Sequence, residues 1–311
     1  SPRKTQGAEG TMSGIHKIAI LGGGQMGAGI AEAAASRGID VTMIKATPGP
    51  SDKARAGIEK SLNRLAEKGK LTSDQAKAIL GRIHFTDKLD AAADADLFIE
   101  SIVEDIDVKK KKFAEADKIV KAEGILASNT STLCISEMQK ATKRPERFVG
   151  LHFFNPATMM KLVEVIPTAT TRPSVTVDVV AFVEHIGKTP VLVKDATGFI
   201  VNRLLTPYMC DAIRAFESGL ADIAGIDTAM HLGANHPMGP LQLADYIGLD
   251  IVCAMAENLH ASFKQDYMAP PEMLKMLVKH ECLGRKTKLG FYDYSQSPAK
   301  PNPALKPLLA K

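Results

Sequence analysis

His152 and Glu164 are each enclosed in an apolar run, the histidine in "RFVGLHFFN" and the glutamate in "KLVEVIP". A carboxylate among aliphatic side chains needs a partner, because burying it alone is costly. If the two runs are neighbouring strands joined by a turn near Pro156, the two side chains meet. A carboxylate–histidine pair suits a general base whose tautomer and basicity are fixed by an anion. The same pair also serves as a buried structural ion pair, and spacing alone leaves both readings open.

Two further polar residues stand in suggestive places. Ser131, in "ASNTSTLCISE", follows the apolar run "GILAS". In a parallel sheet that is the C-terminal edge, where ligands bind. Ser131 could equally cap a helix starting near Ile135, a role open to Thr132 and Ser136 as well. Asn202, in "DATGFIVNRLL", lies among Phe199, Ile200, Val201 and Leu204. Its amide either meets a ligand or ties two backbone segments together.

A glycine loop gives this chemistry a cofactor. Gly22-Gly23-Gly24-Gln25-Met26-Gly27 satisfies G-x-G-x-x-G, follows the apolar run "KIAILG" and opens the helical stretch "MGAGIAEAAASRG". Gly22 allows the tight turn, and Gly24 lets the backbone approach a pyrophosphate. Gly27 lets helix and strand pack closely, while the helix N-terminus faces the phosphates. The alternative is a glycine-rich turn without a ligand. A bound dinucleotide would not by itself name the reaction.

The elements that must position these residues follow from periodicity. Short apolar runs at 17–22, 40–44, 96–101 and 124–128 alternate with helical stretches, including 53–68 and 108–124. That alternation predicts an α/β fold with a Rossmann-like, doubly wound, mostly parallel sheet. "RFVGLHFFN" and "KLVEVIP" add strands with no long helix between them, so an antiparallel edge is expected. From Phe199 to about Lys288 the spacing becomes helical, with breaks at Gly219, Pro237, Pro240 and Pro270–Pro271. The division is a disordered or tag-like leader (1–14), a dinucleotide-binding domain (15–197), a helical domain (198–295) and a Pro-rich extended tail (296–311).

Composition narrows the class. Apolar residues make up 45% and charged residues 24% of 311, as in globular proteins, and no apolar run approaches the roughly 18 residues of a membrane span. The four cysteines form no CxxC pair and read as free thiols in a reducing, cytoplasmic setting, with no metal site. A net charge of +4 without a basic block argues against nucleic acid, though it suits a phosphorylated ligand.

"SNTST", "GLHFFNP", "KLVEVI", "GFIVNR", "LGANHPMGP" and "LGRKTKLGFYDY" occur in an order and spacing that resemble the L-3-hydroxyacyl-CoA dehydrogenase family, nearest the bacterial monofunctional 3-hydroxybutyryl-CoA type. The resemblance runs from about His16 to Tyr294. It implies oxidation of a 3-hydroxyacyl-CoA by a nicotinamide dinucleotide in a homodimer, without nucleic acid or membrane partners. It assigns catalysis to Ser131, His152, Glu164 and Asn202, all present. Cofactor contacts fall on Gly22, Gly24, Gln25, Met26, Gly27, Glu104, Lys109 and Ser131. Coenzyme A contacts fall on Ser61 and Lys68. Rivals are a reductase of carrier-protein-bound acyl groups, a non-catalytic dinucleotide binder, and 3-hydroxyisobutyrate or gulonate dehydrogenases. The "HFFNP" segment with Ser131 and Asn202 argues against the last two enzymes.

One position departs from the family pattern. Lys45 stands where the family usually has an aspartate that accepts hydrogen bonds from the adenosine ribose. An ammonium can only donate. Acid lost and base gained favours NADP over NAD, with Thr47 and the Gly49 backbone in the same turn. The alternative is a lysine pointing to solvent and ordinary NAD use.

Overall fold

The structure, a computed structural model, describes residues 14–49 and 52–307. Apart from Gly14, the predicted leader lies outside the described residues. The chain forms two compact units, one ending at Ala196 and the other beginning at Thr197.

The first unit is built on an eight-stranded sheet of order β3-β2-β1-β4-β5-β6-β7-β8. Its strands are β1 (Lys17–Leu21), β2 (Asp40–Ile44), β3 (Ile83–Thr86), β4 (Leu97–Glu100), β5 (Ile125–Ser128), β6 (Phe148–Phe153), β7 (Leu162–Pro167) and β8 (Thr189–Leu192). All neighbours run parallel except β6 and β7. Every residue of β4, β5 and β6 is buried, which explains their near-continuous apolar sequence. Helices α1 (Gln25–Ala35), α2 (Asp52–Glu67), α3 (Ser73–Gly81), α4 (Ile106–Ile119), α5 (Ile135–Gln139) and α6 (Pro173–His185) complete the unit. The doubly wound sheet with an antiparallel pair is the predicted fold.

Several elements differ from the sequence reading. The helix expected over 108–124 is α4, which starts at Ile106 because the Asp105 carboxylate accepts the N–H groups of Asp107 and Val108. The pairs α3–β3 and α6–β8 went unread. Strands β3 and β8 are four-residue edge strands, β8 largely exposed, so neither shows a buried apolar run.

The second unit holds α7 (Val201–Glu217), α8 (Ile223–Gly233), α9 (Pro240–Ile247), α10 (Leu249–Phe263) and α11 (Glu272–Lys279) around their own apolar core. Pro240 opens α9 at its first helical position, where a missing N–H costs nothing. Two buried carboxylates tie the unit. Asp227 accepts the N–H groups of Leu241 (2.8 Å) and Gln242 (2.9 Å) at the start of α9, and the Tyr292 hydroxyl (2.8 Å). Asp245 accepts the N–H groups of Phe291 (3.0 Å) and Tyr292 (2.9 Å), and the Tyr294 hydroxyl (3.1 Å). The tail is less free than its proline content suggests. Lys300–Pro301 pairs antiparallel with Tyr292–Asp293, and buried Asn302 bonds Phe291 O and Gly290 O.

Burial pushes the Asp245 carboxyl up to about 6, against the pull of its three donors. An unfolded aspartate titrates near 3.9, so between these values the folded chain keeps a proton that the unfolded chain releases, and stability from this group is lost as pH rises from about 4 to 6. Relative to Asp245→Asn, which does not titrate, the wild type should lose melting temperature across that window and hold a constant offset above it. Parallel Tm–pH curves for the two proteins would exclude this effect.

Candidate active site

Register brings the first pair together. In the antiparallel ladder of β6 and β7, His152 lies directly opposite Glu164, so both side chains share one face. His152 Nδ1 stands 2.7 Å from Glu164 Oε2, with the histidine 4% and the glutamate 0% exposed. A carboxylate can only accept, so the Nδ1 position carries the proton of this bond. That tautomer leaves Nε2 as the basic ring nitrogen. The loop between the strands is held by buried Lys188, whose ammonium donates to Ala157 O (2.5 Å) and Met160 O (2.8 Å). Burial lowers the pKa of that lysine.

Ser131 is half-buried at the C-terminal edge, just beyond β5. Its backbone is fixed by Glu104, whose Oε1 accepts the N–H groups of Ser131 (3.0 Å) and Thr132 (3.1 Å) and the Thr132 hydroxyl (3.1 Å). The Thr130 hydroxyl donates to the same oxygen. Burial raises the Glu104 pKa, but Lys109 and these donors outweigh it and hold the carboxyl below its usual range. Lys109 lies almost wholly buried between Glu104 (3.2 Å) and Glu100 (2.6 Å). Ser131 does not cap α5. Asp195 does so from a distant point in the chain, accepting the N–H groups of Ile135 (3.0 Å) and Ser136 (2.8 Å).

The glycine loop is tight at two positions and open at a third. A Cβ on Gly22 would lie 2.1 Å from Ser101 O, and one on Gly27 2.0 Å from Gly22 O, so neither position takes a side chain without moving backbone. A Cβ on Gly24 would meet nothing within 4 Å, which leaves room for a ligand to approach that backbone. Gly24 is the N-cap of α1 and supplies no side-chain cap, and the first turn holds no acidic residue. The helix end therefore suits an anion. Gln25 and Met26 are its first two residues. The loop sits between β1 and β4, where the sheet order reverses, the usual place for such ligands.

Lys45 directly follows β2, and its ammonium reaches back to Pro48 O at 3.4 Å. Ser61, on α2, donates its hydroxyl to the buried Glu32 carboxylate of α1 (2.9 Å), whose pKa burial raises. Lys68 is exposed just past the end of α2. Asn202 lies in the first turn of α7, in the second unit, whereas Ser131, His152 and Glu164 belong to the first.

Some residues that build the site escaped the sequence reading. Glu100 and Ser128 are fully buried and bonded at 2.7 Å, and Glu100 also accepts from Ile102 N and Lys109. Asn129 accepts from Phe153 N (2.9 Å) and donates to the Ser101 hydroxyl (3.1 Å), tying the ends of β4, β5 and β6 together. The available signal was a charged or polar residue closing an apolar strand, as in "LFIE" and "ILAS". Among the described residues no cluster of His, Cys, Asp or Glu could hold a metal, and no helix is long and apolar enough to cross a membrane.

Comparison with known proteins agrees with this architecture. The family model for the NAD binding domain of 3-hydroxyacyl-CoA dehydrogenase matches residues 17–196, and that for the C-terminal domain matches 198–294. A probable 3-hydroxybutyryl-CoA dehydrogenase of Deinococcus radiodurans is 46% identical over 278 residues, covering 89% of this chain and 100% of its own. A 3-hydroxybutyryl-CoA dehydrogenase of Clostridioides difficile is 45% identical over 282 residues, covering 90% and 100%. The crystal structure of (S)-3-hydroxybutyryl-CoA dehydrogenase from Ralstonia eutropha superposes with a TM-score of 0.88 at 40% identity, covering 91% of this chain and 100% of that one. Both halves of the sequence match one enzyme family, and the chain belongs to the 3-hydroxyacyl-CoA dehydrogenases.

Proposed function

We propose that the protein interconverts (S)-3-hydroxybutyryl-CoA and acetoacetyl-CoA, with His152 as the proton-transfer residue. The buried His152–Glu164 pair carries this reading. The nicotinamide, when bound, would supply the hydride acceptor for oxidation at C3 and the hydride donor for reduction. His152 Nε2 removes the 3-hydroxyl proton as that hydride leaves, and the ionised Glu164 stabilises the imidazolium through Nδ1. In reduction His152 gives the proton back. The Ser131 hydroxyl hydrogen-bonds the substrate oxygen and orients C3. Family resemblance alone assigns Asn202 to the same oxygen. The glycine loop, Gln25, Met26, Glu104 and Lys109 hold the cofactor in this proposal. Ser61 and Lys68 meet the coenzyme A nucleotide. The resemblance also supports a homodimer working in the cytoplasm.

The cofactor proposed is NADP(H) in preference to NAD(H). Support comes from Lys45, a donor at the position where an acceptor serves the ribose hydroxyls of NAD.

Acetoacetyl-CoA reduction measured with NADPH and NADH tests the proposal directly. His152→Gln should lower kcat by about 10²–10⁴-fold while cofactor affinity stays near that of the wild type. Near-normal turnover by this variant would remove the histidine from the mechanism. For Lys45→Asp, the NADPH-to-NADH ratio of kcat/KM should fall by about two orders of magnitude, since an attraction is lost and a repulsion gained. An unchanged ratio would return the protein to ordinary NAD use. Lys68→Ala should raise KM for acetoacetyl-CoA more than for its pantetheine thioester. Equal effects on the two substrates would make Lys68 a surface residue without a coenzyme A contact, or favour a carrier-protein acyl group.

A further inference from the structure

The turn after β2 carries a cation and is bonded to an anion that follows β3. Strand β3 pairs in parallel with β2, Ile44 opposite Thr86, and the Lys45 N–H donates to Thr86 O at 2.8 Å. The residues that follow this pair, Lys45 and Asp87, therefore leave the sheet side by side at its C-terminal edge. Asp87 Oδ2 accepts the Gly49 N–H at 3.0 Å, which anchors the carboxylate to the turn that Lys45 opens. Lys45 Nζ reaches Pro48 O, and it lies 3.5 Å from where a Cβ on Gly49 would stand. Gly49 has a φ of +111°, so the turn takes a conformation that side-chain-bearing residues rarely adopt. The Gly49 N–H, with smaller help from Lys88 and Lys45, keeps the exposed Asp87 carboxyl below its usual range and so ionised at neutral pH.

The chemistry of the two side chains is opposite. An ammonium donates to a 2′-phosphate and offers nothing to a ribose hydroxyl that needs an acceptor. A carboxylate has about four lone-pair positions, and Gly49 uses one of them. Those left can accept from ribose hydroxyls, whereas a phosphate dianion beside them is repelled. We infer that Asp87 is a second determinant of cofactor choice that works against Lys45. It supplies from β3 the acceptor that β2 lacks, and it disfavours a 2′-phosphate. The inference rests on the reading that this turn receives the adenosine ribose of the nicotinamide cofactor. It gives the protein usable affinity for NAD(H) in spite of Lys45, with the balance set by two adjacent strand ends.

Asp87→Asn tests this with little risk to folding, because Asp87 is exposed and Asn keeps an oxygen for the Gly49 N–H. Calorimetric titration of the full chain with AMP and with adenosine 2′,5′-bisphosphate reads the ribose end alone. The bisphosphate-to-AMP affinity ratio should rise about fivefold in Asp87→Asn, the order expected when one solvent-exposed charge is removed. Asp87→Ser, equally uncharged, should move the ratio in the same direction, and the NADPH-to-NADH ratio of kcat/KM should follow. A fragment ratio within roughly twofold of wild type in both variants would overturn the inference. The two readings fail separately. If Lys45→Asp shifts the ratio and Asp87→Asn does not, Asp87 is a turn anchor only. If Asp87→Asn shifts it and Lys45→Asp does not, Asp87 sets cofactor choice alone and the role proposed for Lys45 falls.

Discussion

A carboxylate inside an apolar sheet has to be matched, and the antiparallel pairing of β6 and β7 is what matches Glu164. A shift of one residue in that register would turn Glu164 to one face and leave His152 on the other. Breaking a buried pair of this kind by removing one partner costs about 3–5 kcal/mol, because the remaining charge stays buried. The pairing is therefore held from several sides. The flanking valines and leucine pack in the first core, Lys188 fastens the connecting loop, and Asn129 bonds the end of β6. Stability and the proposed chemistry make the same demand on this register.

Along the C-terminal edge the same logic repeats with different residues. Strand β4 ends in Glu100, which could not be buried alone, and Lys109 from α4 answers it. The lysine then reaches Glu104, and Glu104 fixes the backbone of Ser131. Charge compensation thus runs from a strand end to the loop that carries Ser131. Next to it the glycine loop opens a helix whose first turn has no side-chain cap and no acidic residue, an end that suits an anion. At the far end of the edge, Lys45 after β2 and Asp87 after β3 close the row with a cation and an anion, both bonded to the turn at 45–49.

The second unit solves burial differently. Asp227 and Asp245 face backbone N–H groups and tyrosine hydroxyls in place of cations. Desolvation is only partly offset by such neutral donors, so burial raises the pKa of both carboxyls. In the first unit Lys109 tips the same balance the other way for Glu104. The contrast shows that the partner, and not burial alone, sets the direction in which a buried carboxyl's pKa moves.

Much of this was legible in the sequence where a local rule was strong. The glycine loop, the buried parallel strands and the change to helical spacing after Phe199 each follow from short-range patterns of size and polarity. The enclosed positions of His152 and Glu164 announced that each needed a partner. What the sequence could not supply was information that depends on which strands are neighbours. The edge strands β3 and β8 are short and half-exposed, so their composition resembles a loop, and only pairing with β2 and β7 makes them strands. Asp195 caps α5 across 59 or more residues, in preference to the nearby Ser131, Thr132 and Ser136. Ser61, which the resemblance assigns to coenzyme A, also meets Glu32, because α2 packs on α1. Lys45 was conspicuous by type, yet the anion beside it became visible only once parallel pairing set Asp87 next to it. Local sequence determined which groups had to be matched, and tertiary structure decided by what.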